Sequence, residues 1–161
     1  MQLGHMLLEG RNGHEAGRAL LETMCRKLTG IPMPPICIGE RGKPYFEGND
    51  LYFSISHTKN HVFCALSHRP VGIDAEELTR QVKPMLAGKI LSAEEFAQYE
   101  NAADKNRALL TFWVLKEAQA KCTGEGINGY PCHTNFSLED PRVTEIEDCL
   151  VAVIEEEDHV I

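Results

Sequence analysis

Residues 51–76 read LYFSISHTKNHVFCALSHRPVGIDAE, and this stretch decides the fold class. Leu51–His57 and Val62–Leu66 alternate or run apolar on either side of Thr58-Lys59-Asn60, the pattern of a β-hairpin. Val71–Glu76 follows Arg69-Pro70 as a third strand-like run. Toward the N-terminus, Ala16, Leu20, Leu21, Met24 and Leu28 repeat at helical spacing, with Gly30 as the stop before Pro32, Pro34 and Pro35. Between helix and hairpin, Pro35–Ile38 and Lys43–Phe46 read as short strands around the turn Gly39-Glu40-Arg41-Gly42. Toward the C-terminus, Ser92-Ala93-Glu94-Glu95 is a capping box opening a helix, and Asp104 caps a longer helix running to Gly124. Beyond Asn128-Gly129-Tyr130-Pro131, strands are expected at Thr134–Leu138 and Val143–Glu155, the latter broken near Glu147. Helix then strands, followed by helices then strands, with no internal sequence repeat and no linker, is an α+β pattern in one domain.

Composition sets the outer limits. The chain has 161 residues, 43% hydrophobic and 25% charged, which excludes a disordered tail, a collagenous repeat and a coiled coil. No apolar run approaches the roughly 18–20 residues of a membrane span. The first residues, MQLGHMLLEGRNGHE, carry no basic n-region and no long apolar h-region, so the expected location is cytoplasmic. The net charge of −8 belongs wholly to residues 139–161, where Arg142 is the single base among nine acids; residues 1–138 balance. That end reads as a solvated acidic face. A neutral body with an acidic end is a poor footprint for duplex DNA, whereas a few placed bases suffice for a small phosphate ligand. Cys25, Cys37, Cys64, Cys122, Cys132 and Cys149 show no zinc-type spacing and read as reduced, buried thiols. His5, His14, His61, His68, His133 and His159 stand alone in the sequence.

Three constellations carry chemistry. Asp74 and Glu76 are two residues apart in a strand, so both carboxylates leave the same face. Apolar Val71 and Ile73, with Gly72 permitting close approach of another backbone, favour a buried strand and hence a cation between the acids. Trp113, Glu117 and Lys121 follow at i, i+4 and i+8, one helical stripe. A third carboxylate from that stripe would complete an oxygen site suited to Mg²⁺, and Lys121 would meet a phosphate held there. Ser56 and His57 end a strand at a turn, where a hydroxyl and an imidazole can face a phosphate, and Gly42-Lys43-Pro44 supplies a basic turn.

Taken together and in this order, GKPYF, FSISHT, GIDAEE and FWVLKEAQAKCTGEG resemble the 4′-phosphopantetheinyl transferases of the Sfp-like group, over roughly His14 to Ile161. The resemblance implies two pseudo-two-fold related α/β halves, about 1–69 and 70–161, each with a small, mostly antiparallel sheet and packed helices. Coenzyme A would lie in the cleft between them. It implies a Mg²⁺-dependent enzyme of the holo-acyl-carrier-protein synthase type. Such an enzyme moves phosphopantetheine from coenzyme A to a serine of an apo-acyl or peptidyl carrier protein and releases adenosine 3′,5′-bisphosphate. Carried over by position, Asp74, Glu76 and Glu117 match the metal-binding acids, and Glu117 also the general base, acting directly or through a water. Lys121 matches the lysine beside the pyrophosphate; Ser56 and His57 match residues holding nucleotide phosphates; Lys43 and Pro44 match the segment beside adenine. Lys116 is a motif lysine that the resemblance gives no firm role, and Arg11 or Arg18 is the expected contact to the 3′-phosphate. The implied partners are coenzyme A and a carrier protein, with no nucleic acid and no membrane, and the working unit is expected to be a monomer. Two other readings compete. A metal-dependent nuclease would want a basic surface, and a catalytically silent member would only bind a carrier protein or coenzyme A.

Overall fold

The computed structural model describes residues 1–125 and 134–157. The expected turn Asn128–Pro131, with Cys132, His133 and His159, lies outside them. In chain order the elements are β1 (Gln2–Leu7), α1 (Gly13–Thr29), β2 (Ile36–Ile38), β3 (Pro44–Phe46), β4 (Tyr52–His57), β5 (His61–Ser67) and β6 (Val71–Glu77). A single 3₁₀ turn (Pro84–Leu86) precedes α2 (Ala87–Ile90), α3 (Ala93–Asn101), α4 (Lys105–Thr123), β7 (Val143–Ile146) and β8 (Cys149–Glu155). Local chemistry accounts for the ends. The Asn12 side chain accepts from the Glu15 N–H to start α1, and Gly30, at φ 74°, closes it. Ser92 and Glu95 form the reciprocal capping box of α3, while Asp104 and Gly124 bracket α4.

The strands make three antiparallel sheets: β1-β5-β4, the β2-β3 hairpin, and β6-β8-β7. Among the described residues no ladder joins the first sheet to the third. Instead the N–H groups of Ile73 and Ala75, on the open edge of β6, donate to the hydroxyls of Ser54 and Ser56 on β4. Serine side chains thus satisfy buried backbone donors that a neighbouring strand would otherwise have to meet.

The third sheet is covered on both faces. On one, Leu150, Ala152 and Ile154 pack with Leu110, Val114 and Ala118 of α4. On the other, Ile73, Ala75 and Val151 pack with Phe63 and Ala65 of β5. A separate core under α1 gathers Leu21, Met24, Phe46, Phe53 and Leu66. The approach of α4 to β6 depends on Gly72: a Cβ there would lie 2.0 Å from the Ala118 carbonyl oxygen and 2.4 Å from the Cys122 nitrogen. Both atoms are backbone and cannot rotate away. Gly72→Ala is therefore expected to cost at least the upper part of the about 1–3 kcal/mol usual for overpacking. Chemical denaturation checks this, and a variant as stable as wild type would mean that α4 slides freely on the sheet.

Two expectations need correction, and one strand is new. Thr134–Leu138 is not a strand. The buried Phe136 ring anchors it, and the Gln98 side chain accepts from the Leu138 N–H and donates to the Phe136 carbonyl, meeting locally what a ladder would supply. The N-terminal strand β1 was not legible as one, because it is stable only as the outer partner of β5. The acidic end is only partly solvated: Glu155 is held by Arg69 and Ser67, Asp140 by Arg142, and Glu145 by Arg107. Among the described residues no helix is long and apolar enough to cross a membrane.

Candidate active site

The helix α4 runs antiparallel to β6, and the two repeats match in length. From Trp113 to Lys121 a helix rises about 12 Å, and from Gly72 to Glu76 a strand rises about 13 Å. The stripe Trp113–Glu117–Lys121 therefore lies along Glu76–Asp74–Gly72. At one end the Trp113 indole N–H donates to Glu76 Oε1 over 3.2 Å, and Arg80 pairs with the same oxygen. At the other, Lys121 Nζ donates to Asp74 Oδ1 at 2.8 Å and to the Ile73 carbonyl at 3.1 Å. The Ser56 hydroxyl donates to Asp74 Oδ1 at 3.3 Å. Asp74 is only 7% exposed, and its Oδ2 is buried with no hydrogen-bond partner.

Burial dominates the electrostatics here. It raises the Asp74 carboxyl above its ordinary range, with Glu76 adding repulsion, and the attraction of Lys121 does not offset this. Glu117 is pushed up to about 7, first by burial and then by Asp74, with Lys121 opposing and Glu76 adding. An acid this close to neutrality can exchange a proton near physiological pH.

Glu117 and Lys121 form one end of a cleft of about 600 Å³. Its other walls are His14 and Arg18 of α1, Arg41, Gly42, Lys43 and Pro44 of the β2–β3 hairpin, and Phe53 and His57 of β4. Lys43 is half-buried, and its ammonium donates to the Cys122 carbonyl at 2.7 Å, which satisfies an orphan acceptor at the end of α4. Burial lowers its pKa. His57 lies under the start of α1, where a Cβ on Gly13 would fall 2.5 Å from its Nδ1.

The predicted residues divide accordingly. Glu117, Lys121, Lys43, Pro44 and His57 share the cleft. Asp74 and Glu76 lie on the β6 face beside it, reached through Lys121 and Trp113. Ser56 is not on the cleft wall: adjacent strand residues face opposite ways, so with His57 outward the Ser56 hydroxyl turns inward to Asp74 and the Ala75 N–H. Arg18 lines the cleft, whereas Arg11 is turned onto the carbonyls of Leu7 and Leu8. His14 and Arg41 were missed; the i, i+4 spacing of His14 to Arg18 was the available signal. Lys116 is elsewhere, buried against Glu95 at 2.8 Å on the far side of α4.

The residues meet the requirements of a divalent cation in one respect. Burial, with neighbouring carboxylates adding, raises the proton affinity of Asp74 and Glu117, and the buried Asp74 Oδ2 has no partner, the condition that a hard cation relieves. The three carboxylates are not drawn to within 4.8 Å of one another as they stand, since Arg80 and Lys121 occupy two of them.

Comparison with known proteins finds that residues 70–155 match the model of the 4′-phosphopantetheinyl transferase superfamily. The 4′-phosphopantetheinyl transferase gsp of Aneurinibacillus migulanus is 32% identical over 125 residues, covering 72% of this chain and 52% of that protein. The 4′-phosphopantetheinyl transferase HetI of Nostoc sp. is 31% identical over 130 residues, covering 74% and 54%. The 4′-phosphopantetheinyl transferase AcpT of Salmonella typhi is 37% identical over 115 residues, covering 68% and 57%. The chain spans about half the length of the curated relatives it matches.

Proposed function

Because the chain belongs to the 4′-phosphopantetheinyl transferase superfamily, we propose that it transfers phosphopantetheine from coenzyme A to a serine hydroxyl of an apo-acyl or peptidyl carrier protein. The observation that carries this reading is the make-up of the cleft. An acid near neutrality and a lysine stand at one end, and Arg18, Arg41, Lys43 and His57 line the walls where a nucleotide's phosphates would lie. The division into halves at about residue 70, with the pseudo-two-fold relation between them, belongs to the same proposal. A monomer as the working unit belongs to the same proposal.

In the proposed reaction the carrier serine oxygen attacks the phosphorus that bears pantetheine. The new Ser O–P bond forms as the bridging P–O bond of the pyrophosphate breaks, and adenosine 3′,5′-bisphosphate leaves. Glu117 takes the serine proton, directly or across one water. Lys121 meets the negative charge that grows on the leaving phosphate. Arg18, Arg41 and His57 hold the nucleotide end, so that binding energy remote from the reacting phosphorus orients it. Ser56 acts beneath the site, fixing Asp74 through its hydroxyl. Asp74, Glu76 and Glu117 would hold Mg²⁺, which when bound there would neutralise pyrophosphate charge.

Incubation with coenzyme A, Mg²⁺ and an apo-carrier protein, followed by weighing the carrier, tests the reading. A mass gain of one phosphopantetheine supports it. An unchanged carrier, with coenzyme A still bound, would leave a binding module instead. The metal role has its own check. At 100 times its dissociation constant Mg²⁺ should add about 2.7 kcal/mol to the wild type, and Asp74→Asn should lose most of that gain. Equal Mg²⁺ stabilisation of both proteins would remove Asp74 from the ligand set.

A further inference from the structure

His61, Asp148 and Cys149 meet on the face of the third sheet opposite the candidate active site. The register assigns the faces: Cys149 pairs with Glu77 and Leu150 with Glu76, so Cys149 points away from the side that carries Asp74 and Glu76. Among the described residues, these three form the one group of His, Cys, Asp or Glu side chains whose donor atoms all lie within 4.8 Å of one another. His61 Nε2 is 2.6 Å from Asp148 Oδ1, and Cys149 Sγ is 4.0 Å from that oxygen.

The donors are held by rigid turns. His61 begins β5, its N–H donating to the Thr58 hydroxyl at 3.1 Å. Asp148 and Cys149 close the two-residue β7–β8 turn, in which Glu147 has φ 54°. The Asp148 carbonyl accepts from the Leu78 N–H at 2.8 Å, which fastens that turn to the end of β6. Behind His61, its Nδ1 lies 3.0 Å from His5 Nε2, and the His5 ring stacks on Phe63. A ligating histidine characteristically uses its other ring nitrogen in such a contact, which fixes ring orientation and tautomer.

We propose that His61 Nε2, Asp148 Oδ1 and Cys149 Sγ form a second metal site, for a transition ion of the Zn²⁺ class, with His5 orienting His61. The nitrogen–oxygen–sulfur set suits Zn²⁺ and not Mg²⁺, which takes oxygen ligands. One thiolate and one carboxylate balance the charge of a divalent ion, and His61 binds neutral. Asp148 and Cys149 lie in residues 139–161, which carry the chain's net charge of −8, and the Asp148 and Glu77 carboxylates bear on Cys149, so the local field favours a cation. His61 and Cys149 are buried while Asp148 is exposed, so the ion enters from the Asp148 side, and a fourth position stays open to water there. Asp148 moves outward by a small side-chain rotation as the ion replaces the proton between it and His61. The ion would staple β5 to the β7–β8 turn and act on the joint between the two sheets, not on the cleft. This inference stands independently of the transferase reading.

The test is titration of the full chain with Co²⁺, followed by optical absorption. The expected result for wild type is one equivalent that carries tetrahedral visible bands and a near-ultraviolet thiolate-to-Co²⁺ band, displaced by Zn²⁺ and not by Mg²⁺. Cys149→Ser should abolish the thiolate band, which no carboxylate site or other cysteine would predict. Asp148→Asn should weaken binding by more than about 10-fold, and His5→Gln by about 10- to 100-fold. Asp74→Asn should leave the thiolate band and the tetrahedral bands unchanged, since it is not one of the three ligands. Absence of a thiolate band in wild type, or its survival in Cys149→Ser, overturns the site. If circular dichroism shows that Cys149→Ser does not fold, Asp148→Asn decides: wild-type Co²⁺ affinity there overturns it equally.

Discussion

Lys116→Met is expected to lower stability by about 3–5 kcal/mol, the usual cost of removing one partner of a buried ion pair, while turnover per folded molecule stays near wild type. Lys116 and Glu95 are 6% and 0% exposed, and Lys116 Nζ donates to Glu95 Oε1 at 2.8 Å. The same oxygen accepts the Ser92 N–H that opens α3. The second oxygen, Oε2, is buried with no partner, so Glu95 already lacks full compensation. Without the ammonium, a carboxylate is left in an apolar surround that includes Phe136, whose ring centroid is 5.6 Å from Lys116 Nζ. Adding Glu95→Gln to Lys116→Met should recover a large part of the loss, because the amide oxygen keeps the cap without the charge. Urea denaturation of the single and double variants measures both effects. A single variant within about 0.5 kcal/mol of wild type, the range of ordinary surface changes, would show that the pair contributes nothing. In the sequence Lys116 was the motif lysine without a firm role. The structure gives it a partner, Glu95, and a place in the fold away from the cleft.

Lys121→Met is expected to cut turnover by about 10²-fold or more, on the scale of deleting one preorganised donor to a developing charge. Methionine keeps much of the stem's packing, so the loss reports on charge. The cost has two sources. The leaving phosphate loses its cation, and Asp74 loses the strongest interaction that opposes its burial, with only the Ser56 hydrogen bond left, so its carboxyl rises further. Coenzyme A affinity should change less than turnover, since Arg18, Arg41 and His57 remain on the cleft wall. Steady-state kinetics on a variant shown to be folded separates the two, because an interaction made only in the transition state lowers kcat and kcat/KM together. Near-wild-type turnover would take Lys121 out of the mechanism. The two lysines differ because residues five apart on a helix point about 140° away from each other, one toward β6 and the cleft, the other toward α3.

Much of this was legible in the sequence because it depends on periodicity and end chemistry, which act over a few residues. The stops at Gly30 and Gly124, the box at Ser92 and Glu95, and the hairpin around Thr58–Asn60 are local, and all stand where their residues put them. So does the common face of Asp74 and Glu76, which follows from strand alternation, and the stripe from Trp113 to Lys121, which follows from the helical turn. Gly72 announced a close approach without saying to what. Alternation also sends the Ser56 and His57 side chains to opposite faces of β4; that the Ser56 hydroxyl meets Asp74 and the Ala75 N–H depended on where β6 lay.

Tertiary structure alone decided the remainder. Strand β1 carries too few alternating apolar residues to declare itself and exists through its ladder with β5. Lys43 reaches a carbonyl 79 residues away, and Lys116 reaches Glu95 across two packed helices. His5, His61, Asp148 and Cys149 are scattered along the chain and read there as solitary histidines and an ordinary thiol; sheet register and two tight turns bring them to one point. The physical reason is the range of the interactions. Side-chain direction within an element follows from backbone geometry, whereas the partner across a seam is chosen by how whole faces bury apolar surface against each other, and no local spacing encodes that choice.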